Sequence, residues 1–409
     1  MRYILLQKGI EDMEEIERIV KYGLCNSCIG RQFAKLKDGL KNYDRGKKIC
    51  SEIGIEETLA ENCWLCSGIS EEIEKYANLL IEEMKKYEFD TFLVGCKVDE
   101  EILMKEKEIE TPYSESIKRE IDREIGKIIQ KKLSKKVDFA SPDIVGIVDT
   151  LFDRIKIDVK PVFIYGRYKK LVRGIPQTKW YCRKCHGIGC KYCNYKGKMY
   201  EESVEELIAY EALKEFEAKD ESFHGAGRED IDVLMLGNGR PFILELKEPK
   251  KRKIDLKILE KKINEYAKGK VEVSNLRYAS KHEIEKLKSA KYEKVYRLKI
   301  KFAGDGKINE AVNALRGRTI NQRTPSRVAH RRADRVRERK IIDIKIKDMK
   351  MNEAIIEVVA EAGTYIKELI TGDNGRTTPS LSELYGSKIE VEELDVMYVG
   401  DENEKIERI

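Results

Sequence analysis

Apolar and polar residues alternate in two distinct rhythms along this chain. A 3.6-residue rhythm marks helices over Asp12–Val20, residues 72–87 and residues 114–133. A two-residue rhythm marks strands over Thr91–Cys96, around Val137-Asp138-Phe139, and then in the order Pro142–Asp149, Ile155–Val159 and Val162–Arg167. Further on, Lys294–Ile300 alternates so that Tyr296, Leu298 and Ile300 share one face of a half-buried strand. The apolar run Ala354–Val359 predicts another strand, turning at Gly363 into a helix that starts near Thr364, with Thr364 as its N-cap. Mixed elements in this order predict an α+β, multi-domain protein, and 409 residues suffice for two or more separate cores.

One loop breaks the rhythm. Gly227-Arg228-Glu229-Asp230 leads into Ile231-Asp232-Val233, which alternates like a strand, and then into Gly237-Asn238-Gly239, which reads as a turn. In an extended chain Arg228 and Asp230 point to the same side, so a cation stands beside a carboxylate at a strand mouth. An aspartate that acts as a nucleophile must be ionised, and a neighbouring cation keeps it so. Taken alone, Arg228, Asp230 and Asp232 also fit a solvated ladder on an edge strand, and Tyr296 also fits a core position.

The three pieces together, an Arg-x-Asp loop, a Lys-x-Tyr strand and the turn Gly363-Thr364-Tyr365-Ile366-Lys367, follow the order found in pseudouridine synthases. The block from Phe223 to Asp230 and on to Gly239-Arg240-Pro241-Phe242 resembles the archaeal and eukaryotic family that makes pseudouridine in the T-loop of tRNA, the tenth Pus family. The turn at Gly363 is also similar to that of the bacterial uridine-55 synthase. The resemblance implies a catalytic domain built on a mixed, mainly antiparallel sheet with flanking helices. It implies that Asp230 attacks or deprotonates the target ribose, that Tyr296 stacks on the flipped uracil, and that Lys367 pairs with Asp230. Ile366 and Leu394 would wall the base pocket, and Arg228 would fill the space left by the extruded nucleotide. Family members act on uridine 54, uridine 55 or both.

Charge sharpens this picture only locally. The chain is 38% charged with a net charge of +6 and five glutamines, a composition that fits an ion-pair-rich, thermophile-like surface. Between Arg316 and Lys340, however, there are nine arginines and one lysine against Asp334 and Glu338. Arg316, Arg318, Arg323, Arg327, Arg331 and Arg332 alternate there with small and turn residues, which predicts an exposed loop passing into a short helix, suited to phosphates.

The ten cysteines fall largely into pairs. Cys25-x-x-Cys28 and Cys63-x-x-Cys66 are 34 residues apart, whereas Cys182-x-x-Cys185 and Cys190-x-x-Cys193 are four apart. Two such knuckles form a closed tetrahedral, structural zinc site, so two zinc ions per chain are expected. His186 reads as a loop residue, and Cys50 and Cys96 as ordinary buried thiols. No signal peptide is expected, which favours reduced thiols over disulfides and a cytoplasmic location. There is no apolar run long enough for a membrane.

The strand order over residues 142–167 resembles a THUMP domain, a module of tRNA-modifying enzymes, which implies tRNA as the partner. The expected organisation is an N-terminal zinc-binding segment at 1–70, a THUMP-like RNA-binding domain at 71–178, a zinc-knuckle linker at 179–198 and the catalytic domain at 199–409. The expected function is that of a tRNA pseudouridine synthase needing no organic cofactor and no obligatory protein partner. The alternatives are a non-catalytic zinc-containing tRNA-binding protein and another THUMP-bearing enzyme, such as a methyltransferase or thiolase. The lack of a Gly-x-Gly-x-x-Gly loop and of a P-loop disfavours the latter.

Overall fold

A computed structural model of the chain describes residues 13–36, 39–304 and 307–400. Asp12, the expected start of the first helix, lies outside the described residues, and the helix spans Met13–Val20. The chain divides into two compact units, with the division after Lys160.

In the first unit, helices Asn26–Arg31 and Asn42–Ile53 pack so closely that glycine is required at the contact. A Cβ on Gly30 would lie 1.8 Å from the Asn42 carbonyl oxygen, and one on Gly46 would lie 1.9 Å from that of Asn26. Strands β1 (Thr91–Lys97), β2 (Lys136–Val137), β3 (Ile144–Asp149) and β4 (Arg154–Val159) form a sheet in the order β2-β1-β3-β4. Helices Ile73–Met84 and Ile117–Leu133 cover it. The second of these starts where Ser116 accepts a hydrogen bond from the Arg119 amide. Ile29, Phe33, Leu80, Phe92, Ile125 and Ile144 belong to one continuous core. A boundary near residue 70 therefore falls inside a single core, because the cysteine-bearing helices bury their apolar faces against the sheet domain.

The second unit is built on ten strands. These are β5 (Val162–Lys170), β6 (Asp220–Gly225), β7 (Leu234–Lys247), β8 (Val271–Ala279), β9 (Lys294–Phe302), β10 (Thr319–Arg323), β11 (Val336–Lys350), β12 (Glu353–Ala360), β13 (Thr377–Thr378) and β14 (Ile389–Val399). Their order is β13-β10-β11-β12-β9-β14-β7-β5-β8, with β6 also paired to β7. All pairs are antiparallel except β14 with β7, which run parallel through Asp395–Leu234 and Val396–Met235. The sheet is thus mixed and mainly antiparallel, as expected.

Strand β5, placed by the sequence reading with the first domain, belongs here. Its reason is burial: β4 exposes alternate residues and can end a sheet, whereas most β5 residues are buried on both faces and need neighbours on either side. Three local expectations also change. Ile231-Asp232-Val233 is not a strand, since β6 ends at Gly225 and β7 begins at Leu234. Gly237-Asn238-Gly239 is not a turn but an irregularity within β7, where the register against β5 shifts. The Asn238 side chain there donates to the Val399 carbonyl at 3.0 Å and accepts from its amide at 3.1 Å, which stitches the irregularity to β14. Thr364 does not cap the helix Ile366–Thr371; Tyr365 occupies that position, and Thr364 donates instead to the Glu361 carbonyl.

The Arg316–Lys340 segment is more ordered than its composition predicts. It contains β10, the short 3-10 turn Ser326–Arg331 and the start of β11. Some of its charges are paired within the protein as well: Arg316 pairs with Asp343 at 2.8 Å, and Asp334 pairs with both Arg323 and Arg376.

Gly237 has φ +55°, and a Cβ there would lie 1.7 Å from the Met397 carbonyl oxygen. Gly237→Ala is expected to cost more than about 2 kcal/mol by forcing β7 and β14 apart. Urea unfolding of the two proteins measures this, and a loss below about 0.5 kcal/mol would show that the strand ends adjust freely.

Candidate active site

The loop between β6 and β7 has no strand partner for its backbone, and buried side chains take that place. Lys170, fully buried at the end of β5, donates from Nζ to the carbonyls of Ile175, Asp230 and Ile231 at 3.0–3.1 Å. Burial lowers its pKa to about 8. Arg173 donates to the Asp232 carbonyl at 2.7 Å and to that of Leu394 at 3.1 Å, and pairs with Asp395. Three successive carbonyls of the loop, at 230, 231 and 232, are therefore held by cations.

The opposite side of the loop is fixed by Glu229. Its buried carboxylate accepts from the Tyr168 hydroxyl at 2.9 Å and from Arg240 Nε at 2.9 Å. Arg240 also donates to the Ala226 carbonyl, and Gln177 bridges the Tyr168 hydroxyl and the Gly227 carbonyl. With its neighbour Glu229 turned inward, Asp230 faces a cleft of about 920 Å³.

That cleft collects most of the residues singled out in the sequence. Asp230, Tyr296, Ile366, Lys367, Leu394 and Arg228 line it, together with Arg327 and Arg332. Arg316, Arg318 and Arg323 do not, and the Arg331 side chain lies outside the described residues. Tyr296 is both core and cleft: it is largely buried, and burial raises its phenol to about 12. Leu394 and Val396 reach the cleft from β14, the strand that pairs with Tyr296's own strand.

The expected pair of Lys367 with Asp230 is present, but each group has a nearer partner. Arg327, expected on phosphates, is the near neighbour of Asp230, at 2.9 Å, and its Nε binds the buried Glu368 at 2.6 Å. Lys367 lies 3.6 Å from Asp230 but 2.7 Å from Asp232. Burial opposes ionisation of Asp232, and Lys367 overrides it to lower its pKa. Arg228 and Asp230 lie outside the strands, and the Arg228 guanidinium lies 5.0 Å from the Trp180 ring centroid, both residues lining the cleft.

Sequence reasoning missed Lys170, Arg173, Glu229, Arg240 and Glu368. Only Arg240 carried a signal, as a charge opening the apolar run Phe242-Ile243-Leu244.

Both cysteine sets converge. The Sγ atoms of Cys25, Cys28, Cys63 and Cys66 lie within 4.8 Å of one another, as do those of Cys182, Cys185, Cys190 and Cys193. Separations of 3.8–3.9 Å, as between Cys25 and Cys66 or Cys182 and Cys190, match the edge of a Zn–S tetrahedron, about 3.8 Å for a 2.3 Å bond. The amides of Gly189 and Gly197 donate to Cys185 and Cys193 at 3.2 Å. In the first set Arg31, fully buried, donates to Cys28 and pairs with Glu120. Both groups therefore suit a metal ion, and both are closed. Cys50 and Cys96 belong to neither. No helix among the described residues is long and apolar enough to cross a membrane.

Comparison with known proteins meets this geometry. A model of the Pus10 C-terminal region matches residues 163–400, and a model of the archaeal Pus10 THUMP domain matches residues 76–149. The chain belongs to the Pus10 family. The Pus10 of Methanocaldococcus jannaschii, a tRNA pseudouridine synthase by name, is 42% identical, with 95% of this chain and 94% of that protein covered. Its namesake in Pyrococcus furiosus is 40% identical over 98% of this chain and 99% of that one. In a crystal structure of a Cbf5–Nop10–Gar1 complex, one chain is similar over 48% of this chain and 45% of its own, at 20% identity and a TM-score of 0.31, a likeness too slight to argue from. The THUMP match stops at residue 149 and the C-terminal match begins at 163, in accord with the division after Lys160 and the transfer of β5 to the second sheet.

Lys294, two residues before Tyr296, is held at about 7 by burial and by the charge of Arg240. Its folded pKa lies below the unfolded value, so the unfolded chain binds more protons between about 7 and 10.4, and stability rises with pH across that window. Lys294→Met should therefore stabilise the protein most at pH 6, on the order of a few kcal/mol, with the gain shrinking from pH 7 towards pH 10. Denaturant melts at pH 6 and pH 9 test this; an equal gain at both would remove the buried charge from the account.

Proposed function

We propose that this protein isomerises uridine to pseudouridine in the T-loop of tRNA, at position 54, 55 or both. The observation that carries the mechanism is a carboxylate, Asp230, in a cleft between two cations and in the company of a buried tyrosine and two apolar walls. Family membership supplies the reaction class.

Asp230 attacks C1′ of the target ribose or takes a proton from the sugar, and Arg327 and Lys367 hold its carboxylate in place. The N1–C1′ bond breaks, the uracil turns, and a C5–C1′ bond forms as the Asp230–C1′ bond breaks or, on the other route, as Asp230 returns the proton to the sugar. The C5 proton leaves and N1 gains one, so the product is an isomer and no organic cofactor enters. Flipping the base costs about a few kcal/mol, and stacking on Tyr296 offsets about 1–3 kcal/mol of it. Ile366 and Leu394 close the pocket around the ring, and Arg228 fills the place vacated in the loop. Arg316, Arg318, Arg323, Arg331 and Arg332 contribute phosphate contacts. The four-cysteine groups hold zinc as structural ions, with no open position for chemistry. The setting is the cytoplasm, with tRNA as the partner.

The deciding experiment is tritium release from C5-labelled uridine in an unmodified tRNA transcript. Wild type should release label, and Asp230→Asn should lose at least about a thousandfold in rate while holding the transcript within about threefold of wild-type affinity. No release by wild type, with binding intact, would favour a tRNA-binding protein. Mapping the product sites then assigns position 54 or 55.

The cations can be ranked. Arg327→Ala should lower kcat at least tenfold and more than Lys367→Ala does, because Arg327 holds the nearer contact to Asp230. A larger effect at Lys367 would mean that substrate displaces Arg327 before chemistry.

A further inference from the structure

The segment 179–198 does more than link. Its 20 residues carry six cations (Lys179, Arg183, Lys184, Lys191, Lys196 and Lys198) and no carboxylate. Four thiolates on one divalent ion would carry a formal charge of about −2, which still leaves the module positive. Lys196 and Lys198 are engaged with Glu201 and Glu206. Arg183, Lys184 and Lys191 have no carboxylate partner among the described residues.

Interleaved with these cations are large apolar groups in water. Tyr181 is 60% exposed, Tyr192 52%, Tyr195 70% and Ile188 91%. Lys184 lies 4.6 Å from the Tyr192 ring centroid, which places a cation against an aromatic face. These rings are displayed rather than left loose. Cys182 donates to the Gly197 carbonyl, Met199 donates to that of Trp180, and Tyr181 bridges Lys198, so a short antiparallel stem anchors the module. The stem begins at Trp180, which lines the catalytic cleft and carries Arg228 over its ring. An aromatic and cationic surface therefore runs from the cleft rim into the knuckle.

We infer that the second cysteine knuckle is an RNA-contacting module, which stacks unpaired nucleotides of the substrate outside the flipped base on Tyr192 and Tyr195 and binds their phosphates through Arg183, Lys184 and Lys191. A protein partner would require acidic or apolar complementarity. A flexible polyanion with exposed base faces satisfies both the charge and the rings at once. The inference rests on the reading that the substrate is tRNA, and it gives the knuckle a role in holding it.

The test uses the full chain and an unmodified tRNA transcript. Tyr192→Ala/Tyr195→Ala should weaken Kd at least tenfold, as expected from about 1–3 kcal/mol per stacked base. Tyr192→Phe/Tyr195→Phe should restore affinity to within about threefold. Arg183→Gln/Lys184→Gln/Lys191→Gln should reduce the salt dependence, making log Kd against log salt shallower by about one for each phosphate no longer neutralised. Metal content per chain, measured on each variant, shows that the knuckle is still folded. Affinity and salt slope within twofold of wild type, with metal content intact, would overturn the inference. Binding is read separately from tritium release. If wild type releases no tritium but the knuckle variants still lose affinity, the T-loop reading fails and the knuckle surface stands.

Discussion

Three successive backbone oxygens, those of Asp230, Ile231 and Asp232, accept from two cations, one at the end of β5 and one just after it. Because the loop leaves the sheet after β6 and rejoins it at β7, its carbonyls have no ladder to complete. A buried ammonium with no acceptor would cost several kcal/mol, whereas the Asp230 and Ile231 carbonyls also accept from the amides of Val233 and Gly174. Placing Lys170 among three carbonyls satisfies the ammonium and gives the Asp230 and Ile231 oxygens a second, charged donor. Arg173 donates to the next carbonyl and ties it to Leu394 of β14. The position of the Asp230 carboxylate is thereby set by its backbone, leaving its own oxygens for Arg327 and Lys367.

The second constraint is the distribution of charge around that carboxylate. Arg327 divides its donors between Asp230 and the buried Glu368, while Lys367 divides its attraction between Asp230 and Asp232. Each cation thus has an anchor other than the Asp230 carboxylate. Glu368, buried on the helix that follows the Gly363 turn, couples the Arg327 turn to the element carrying Ile366 and Lys367. Binding a polyanion along the arginines that precede β11 would act directly on a segment that also touches Asp230.

Where the sequence was legible, periodicity or spacing carried the information. Tyr296 on its alternating strand, the two cysteine sets, and the cleft shared by Asp230, Ile366, Lys367 and Leu394 could all be expected from motifs read in order. The irregularity at Gly237-Asn238-Gly239 was not, because its meaning depends on Val399, a distant partner in the chain. Strand β5 was misplaced because adjacency in sequence favoured the first unit, while burial on both faces required the second. Lys170 and Glu229 were invisible for a related reason: a buried charge looks like a surface charge until its acceptors are known. The arginine-rich segment shows the converse, since Asp343 and Glu368, both outside it in sequence, supply counter-charges that local composition does not include.

Strand β14 lies near the middle of the large sheet, between β9 and β7, although it is the last described strand in chain order. Until residues 389–399 have emerged from the ribosome, the β9 half and the β7 half have no edge in common. Two partial sheets must wait, each with an open edge, for one segment to enter between them. Such late, long-range pairing is slow and exposes unpaired strands meanwhile. Because Asp230 stands beside one half and Tyr296 on the other, synthesis of residues 389–399 is also the moment at which the two sides of the candidate site can first be joined.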